Sequence, residues 1–176
     1  MKKATIILLA VIISIFIYKE QKKDTIIIPD SAIRLRVIPN SNSALDQNMK
    51  LKVKNYLEDN IYEILNNKNN IEEARKIIKE NIYDIEYNIN KIFEENNYNK
   101  KYKVEYGNNY FPKKEYRGVK YPEGYYESIV ISIGNAEGDN WWCVLFPNLC
   151  LVDLKEKNDI EYKSWVSETI KKYFKK

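Results

Sequence analysis

The chain has no histidine among its 176 residues. That absence removes the Ser-His-Asp and Cys-His nucleophilic systems and most catalytic zinc sites, because all of them need imidazole. Glycine is scarce, with five scattered residues, so no Gly-rich loop is present to cradle a phosphate. The two cysteines, Cys143 and Cys150, are too far apart for a C-x-x-C redox pair and make a poor zinc set without histidine. Charge of one sign is also lacking. Lys plus Arg number 29 against 25 Asp plus Glu, and Lys2 and Lys3 supply half of the resulting +4. A nucleic-acid binder concentrates positive charge on one face or stripe, whereas here Lys and Glu are interleaved along almost every segment, so no nucleic-acid partner is expected. The dense basic patch Lys171, Lys172, Lys175 and Lys176 reads as a solvated helix end. Glu127, Asp139 and Asp153 are available carboxylates, but nothing in their spacing sets the separation that a glycosidase pair requires. No catalytic residue, metal ligand or cofactor site is assigned, and the chain reads as a binding protein rather than an enzyme.

What is there begins with an export pattern. Lys2 and Lys3 precede an uncharged stretch from Ala4 to Tyr18, after which charges resume at Lys19. A helix of that length rises about 23 Å, short of the roughly 30 Å hydrocarbon core, as in a secretory leader. No small-x-small site precedes a mature start, because Ile15, Phe16, Ile17 and Tyr18 are all bulky. Residues 1–24 are therefore a signal peptide or a signal anchor, with membrane contact through this segment if it is uncleaved. Residues 25–176 are one exported domain, the size a single core supports.

Ser31 to Asn40 alternates, with Ile33, Leu35 and Val37 on one face and Arg34 and Arg36 on the other, the pattern of a half-buried strand. Ser43 caps a helix to about Asn66, in which Leu45, Met49, Val53, Leu57, Ile61 and Leu65 form one stripe. Asn70 with Glu73 resembles a capping box opening a second helix, whose stripe runs Ile71, Ala74, Ile78, Ile82, Ile85, Ile89 and Phe93. The two pair as a hairpin. Lys101 to Tyr106 and Tyr110 to Val119 read as strands separated by a Gly107-Asn108-Asn109 turn. Tyr121-Pro122-Glu123-Gly124 is a turn, Tyr126 to Ile133 and Trp141 to Phe146 are strands, and Ser164 caps a final helix. The class is α+β: a single domain, two long N-terminal helices packed on a mostly antiparallel sheet, with a C-terminal helix.

Cys143 and Cys150 are equidistant from the Phe146–Pro147 bond, so a turn centred there would bring them opposite each other. A disulfide fits that geometry, and two buried thiols are the alternative. Adjacent strand residues point to opposite faces, so one of Trp141 and Trp142 enters the core and the other faces out. An outward Trp beside a turn presenting Phe146 and Pro147 would anchor a protein partner; lying under the C-terminal helix is the other reading. Arg34 and Arg36 either contact a partner or pair with acidic residues on a neighbouring strand. Asp46, after Asn40-Ser41-Asn42-Ser43, reads as part of the helix cap.

At these residues the chain resembles the stage II sporulation protein R family. Ile33-Arg34-Leu35-Arg36-Val37-Ile38-Pro39-Asn40-Ser41 with Asp46-Gln47 and Lys50 is similar to its amino-terminal motif. Asn140-Trp141-Trp142-Cys143-Val144-Leu145-Phe146-Pro147 with Leu149-Cys150 is similar to its carboxyl-terminal hallmark. Asn42 stands where the family often has Asp, and Asn148 where Pro is usual. The resemblance implies export across the forespore membrane into the intermembrane space. It also implies a partner, a membrane-embedded aspartyl protease of the mother cell that processes the sigma E precursor. Arg34, Arg36, Trp141, Trp142 and Phe146 are the candidate receptor contacts, with Cys143 and Cys150 holding their shape. An exported cell-wall or carbohydrate-binding module is the competing expectation, on fifteen tyrosines and three tryptophans.

Overall fold

The alternating segment becomes β2 (Ile33–Ile38), and its place inside the sheet explains most of the architecture. The computed structural model describes residues 26–174 apart from 67, 69, 117–118, 148 and 150–158, so the expected leader and Cys150 lie outside the described residues. Before β2 comes the two-residue β1 (Ile26–Ile27). After it come α1 (Ala44–Asn66) and α2 (Ile71–Glu95), joined by a short connection that makes them antiparallel neighbours. The strands β3 (Tyr102–Phe111), β4 (Lys114–Tyr116), β5 (Val119–Tyr121), β6 (Gly124–Ile133) and β7 (Trp141–Phe146) follow, and α3 (Asp159–Phe174) closes the order. The α+β class and the mostly antiparallel sheet hold.

The main sheet has four strands in the order β3-β6-β2-β7. β2 runs parallel to β6 from Arg34↔Ser128 to Ile38↔Ser132, and antiparallel to β7, where Arg36 faces Trp142. β3 and β6 are antiparallel over ten pairs. A second sheet, β1-β5-β4, has three strands. The helix hairpin lies on one face of the main sheet. Met49, Val53, Leu57, Ile61 and Leu65 of α1 and Ala74, Ile78, Ile85, Ile89 and Phe93 of α2 share a core with Ile33, Leu35, Val37, Ile129, Ile131 and Ile133. Each large aliphatic so placed contributes about 1.5–3 kcal/mol, which outweighs the modest helix propensity of the many Asn and Ile residues. The outward face is covered too: Val144 of β7 packs with Ile28, Val119 and Val166, which brings the small sheet and α3 against its end.

Five local expectations change, the first being that Tyr110 to Val119 is not one strand but the end of β3, then β4 and the start of β5. Gly107-Asn108-Asn109 is not a turn but the middle of β3, because all three residues pair with β6 and the Asn109 amide donates to Ser128 O and Oγ at 3.3 and 3.0 Å. Ser164 is interior to α3, with its hydroxyl donating to Glu168 at 3.3 Å. Leu45, expected in the α1 stripe, is 62% exposed, since its neighbour Asp46 is the residue that turns inward. At Asn70 one half of the expected capping box forms: its side chain accepts from Glu73 N–H at 2.8 Å, while the Glu73 carboxylate pairs with Lys68 at 3.1 Å.

Gly134, after β6, has φ +57, and a Cβ there would lie 2.1 Å from Asn40 Oδ1. Gly134→Ala should therefore cost about 2–3 kcal/mol through backbone strain and displacement of Asn40. Gly107→Ala, where nothing lies within 4 Å of the added atom, should cost under about 1 kcal/mol. Urea unfolding of both variants checks this, and equal losses would refute it.

Candidate functional site

Because β2 is central and covered on both faces, its arginines are not the solvent-facing pair that alternation alone predicts. Arg34 is 1% exposed, one of the few buried charged residues in the described chain. Its guanidinium stacks on Tyr126, 3.3 Å from the ring centroid, and stands 5.6 Å from the Phe111 centroid. Arg36 is half-buried, 5.8 Å from the same Phe111 ring and 5.6 Å from Trp142. Phe111 and Trp142 meet edge to face at 5.2 Å, and Lys114 Nζ lies 4.7 Å from the Trp142 centroid. Neither arginine forms an ion pair with an acidic residue of a neighbouring strand among the described residues. The aromatic faces instead provide cation–π attraction, worth more in a desolvated setting than at an exposed one. Burial lowers the pKa of Arg34, Arg36 and Lys114, and for Lys114 the nearby charges of Arg36 and Lys50 push the same way. Arg34, Phe111, Lys114, Tyr121, Trp142 and Val144 are among the residues lining a pocket of about 220 Å³, and Arg36 stands outside that lining.

The remaining candidates divide. Trp142 is on this outward face, whereas Trp141 projects to the opposite one, half-buried against the helix-side core with Lys54 Nζ 5.5 Å from its centroid. One tryptophan on each face is what the strand requires. Phe146 is 3% exposed and meets Tyr173 of α3 edge to face at 5.3 Å, so it packs in the core instead of projecting from the turn. Cys143 is half-buried opposite Leu35. The Phe146–Pro147 peptide is cis, and Leu149 N–H donates back to Val144 O at 3.1 Å, which closes the reversal. The structure thus brings Arg34, Arg36 and Trp142 together and separates Trp141 and Phe146 from them.

The polar residues after β2 do something else. Asp46 is buried, and its carboxylate accepts from Asn40 Nδ2 (2.8 Å), Ser41 Oγ (2.5 Å) and Tyr98 Oη (2.6 Å), while its own N–H donates to Ser43 Oγ (3.2 Å). Asn40 Oδ1 accepts from Asn135 N–H at 3.1 Å, Asn42 Oδ1 from Asp139 N–H at 2.6 Å, and Lys50 donates to Asp139 O at 2.9 Å. This segment is a clasp that fixes the 134–139 connection, and with it the start of β7. Ser43 caps the helix as expected, by accepting from the Asp46 N–H, whereas the Asp46 carboxylate does not cap it and belongs to the clasp, a part at which only its spacing from Asn40 and Ser41 hinted. A second missed cluster lies on the helix side. Arg75 donates to Glu127 in a fork at 2.7–3.0 Å, and Tyr106 Oη donates to the same carboxylate. Burial alone would raise the Glu127 pKa, but these donors outweigh it and the net shift is downward. The cluster joins α2 to the sheet.

The family model described as Stage II sporulation protein R matches residues 29–156, from the residue before the β2 approach to beyond β7. The chain belongs to the stage II sporulation protein R family. It is similar to Stage II sporulation protein R of Bacillus subtilis (strain 168), 35% identical over 158 residues that cover 86% of this chain and 70% of the relative. No solved structure matches the chain. Membership gives this fold a role in sporulation. Within it, the amino-terminal family motif combines two tasks, with Arg34 and Arg36 on the outward face and Asn40, Ser41 and Asp46 in the clasp.

Hydrogen bonds from Asn40, then Ser41 and Tyr98, hold the Asp46 carboxyl well below the usual carboxylate range. A carboxyl with a depressed folded pKa contributes stability that is complete above its unfolded value of about 3.9 and is lost as pH falls toward the folded value. At pH 7, Asp46→Asn should cost about 2–3 kcal/mol. Urea unfolding from pH 7 down to about pH 2 should show the parent losing stability more steeply, so that the two curves converge in acid. Parallel curves would exclude Asp46 as the source.

Proposed function

We propose that this chain is an exported, non-catalytic signal of endospore formation that activates a membrane-embedded aspartyl protease and so triggers processing of the sigma E precursor in the mother cell. One observation carries the reading beyond family membership. The two motifs that mark the family lie on adjacent strands, in register at Arg36↔Trp142, and present Arg36 and Trp142 on one face with Arg34 beneath. Arg and Trp are residue types that dominate binding energy at protein interfaces. A ligand of this kind acts only by binding the active receptor state more tightly than the inactive one, so contact chemistry is the whole message.

Export into the intermembrane space is part of the proposal, as is a Cys143–Cys150 bridge that would tie the end of β7 to the segment after Pro147. The sugar-binding alternative has one feature in its favour. Tyr110 and Tyr125 are 49% and 70% exposed and adjacent at 5.6 Å. Their rings stand at 63° to each other, however, which does not give the flat platform that stacking on a sugar ring uses.

The test is precursor cleavage in cells that produce the protease and precursor, with and without this protein exported. Cleavage should occur only with export, and Arg36→Gln or Trp142→Ala should reduce it about tenfold, the effect of losing roughly 1.4 kcal/mol of contact. Each variant must reach the parent level in the exported fraction. No cleavage with folded, exported protein and a functional matched protease would overturn the proposal; retention on insoluble peptidoglycan would then favour the wall-binding alternative.

A further inference from the structure

Among the described residues, the buried side-chain polar atoms that lack a hydrogen-bond partner are Nε, Nη1 and Nη2 of Arg34, Nε of Arg36 and Nε1 of Trp142. All belong to one face of two paired strands. Every one is a donor, since neither a guanidinium nor an indole N–H can accept. Buried polar atoms are almost always satisfied, and a cluster of donors with no acceptor is the complement of a missing acceptor. Lys114 adds a third positive charge beside the same rings. The nearest acidic neighbours, Asp30 and Asp139, influence Arg34 and Lys114 through space without pairing with them.

We propose that the outward-face pocket is a carboxylate-binding site, in which the Arg34 fork and the Trp142 indole N–H receive the oxygens and Lys114 supplies additional positive charge. Geometry selects the carboxylate. The Arg34 Cζ stands over the Tyr126 ring, 3.3 Å from its centroid, and the guanidinium N–H groups all donate in the plane of the group. A guanidinium fork takes either a carboxylate or a phosphate through two parallel bonds, but the planar carboxylate then keeps all its atoms in that plane, whereas a tetrahedral phosphate carries its other oxygens out of it. A pocket of about 220 Å³ admits the end of an acidic side chain, a chain terminus or a small free acid. The site stands on these contacts alone and does not depend on the protease reading.

The full chain, labelled with ¹⁵N, is titrated with sodium acetate and with a doubly capped glutamate, against acetamide and inorganic phosphate at matched ionic strength. The side-chain N–H resonances of Arg34 and Trp142 should shift saturably with both carboxylates, which should compete, and should not respond to acetamide. Tighter binding of the capped glutamate assigns a protein-borne carboxylate, and tighter binding of acetate assigns a free acid; both support the site. Trp142→Phe keeps an aromatic ring, though a smaller one, removes one donor, and should weaken binding about threefold to tenfold. Arg34→Lys should abolish saturation in a protein whose spectrum stays dispersed. Unsaturable shifts equal to those from chloride, a preference for phosphate, or full binding by Trp142→Phe would overturn the proposal.

Discussion

The Asp46 carboxylate is the point on which the geometry of the domain turns. Three donors from separate segments converge on it: Asn40 and Ser41 from the end of β2, and Tyr98 from the exit of α2. A buried charge is tolerated only when its lone pairs are filled, so this one anion obliges the strand exit, the first turn of α1 and the approach to β3 to keep fixed relative positions. Asn40 and Asn42 extend the constraint to the 134–139 connection through its backbone N–H groups. Gly134 and Gly138 allow the close approach: a Cβ on the first would collide with Asn40, and one on the second with Ser41 O. β7 therefore enters the sheet in a register set by the loop that follows β2.

On the opposite face the energetic logic reverses. Asp46 is stabilised by satisfaction, whereas Arg34 is retained with no hydrogen-bond partner among the described residues. A hydrophobic residue of similar volume between Tyr126 and Phe111 would remove the desolvation cost of the guanidinium. The rings offset part of that cost through their negative faces, and Ser128 and Asn109 satisfy each other nearby without reaching it. Stability alone gives no reason for a cation at this position. The carboxylate site proposed above would supply one.

Periodicity carried the fold a long way. The four-residue recurrence from Met49 to Leu65 and the stripe from Ala74 to Phe93 name the helix faces that are buried, and alternation in Ile33–Val37 and Tyr126–Ile133 names the strand faces. What it cannot give is whether the other face is covered. Arg34 and Arg36 were placed on the correct side of β2, but their burial depends on a hairpin, β4–β5, eighty residues away in sequence and short enough to leave little periodic signal. Gly107-Asn108-Asn109 has turn chemistry in isolation and strand geometry in context, because pairing with β6 outweighs local preference. Phe146 was read from its place beside a proline, when its surroundings are decided by α3.

The parallel pairing of β2 with β6 has a consequence for the order in which the molecule takes shape. β2 is the first strand of the main sheet in the chain, yet its two neighbours there lie about a hundred residues further on. A polypeptide emerging amino terminus first, from a ribosome or from a pore, can form the α1–α2 hairpin early, but the hairpin then has no sheet to cover. Its apolar stripes must wait until residue 146 is free, so closure is a single late event between the ends of the described sheet. High contact order of this kind slows folding. A chain truncated before β7 would therefore lack both the antiparallel partner of β2 and the core residues Leu145 and Phe146.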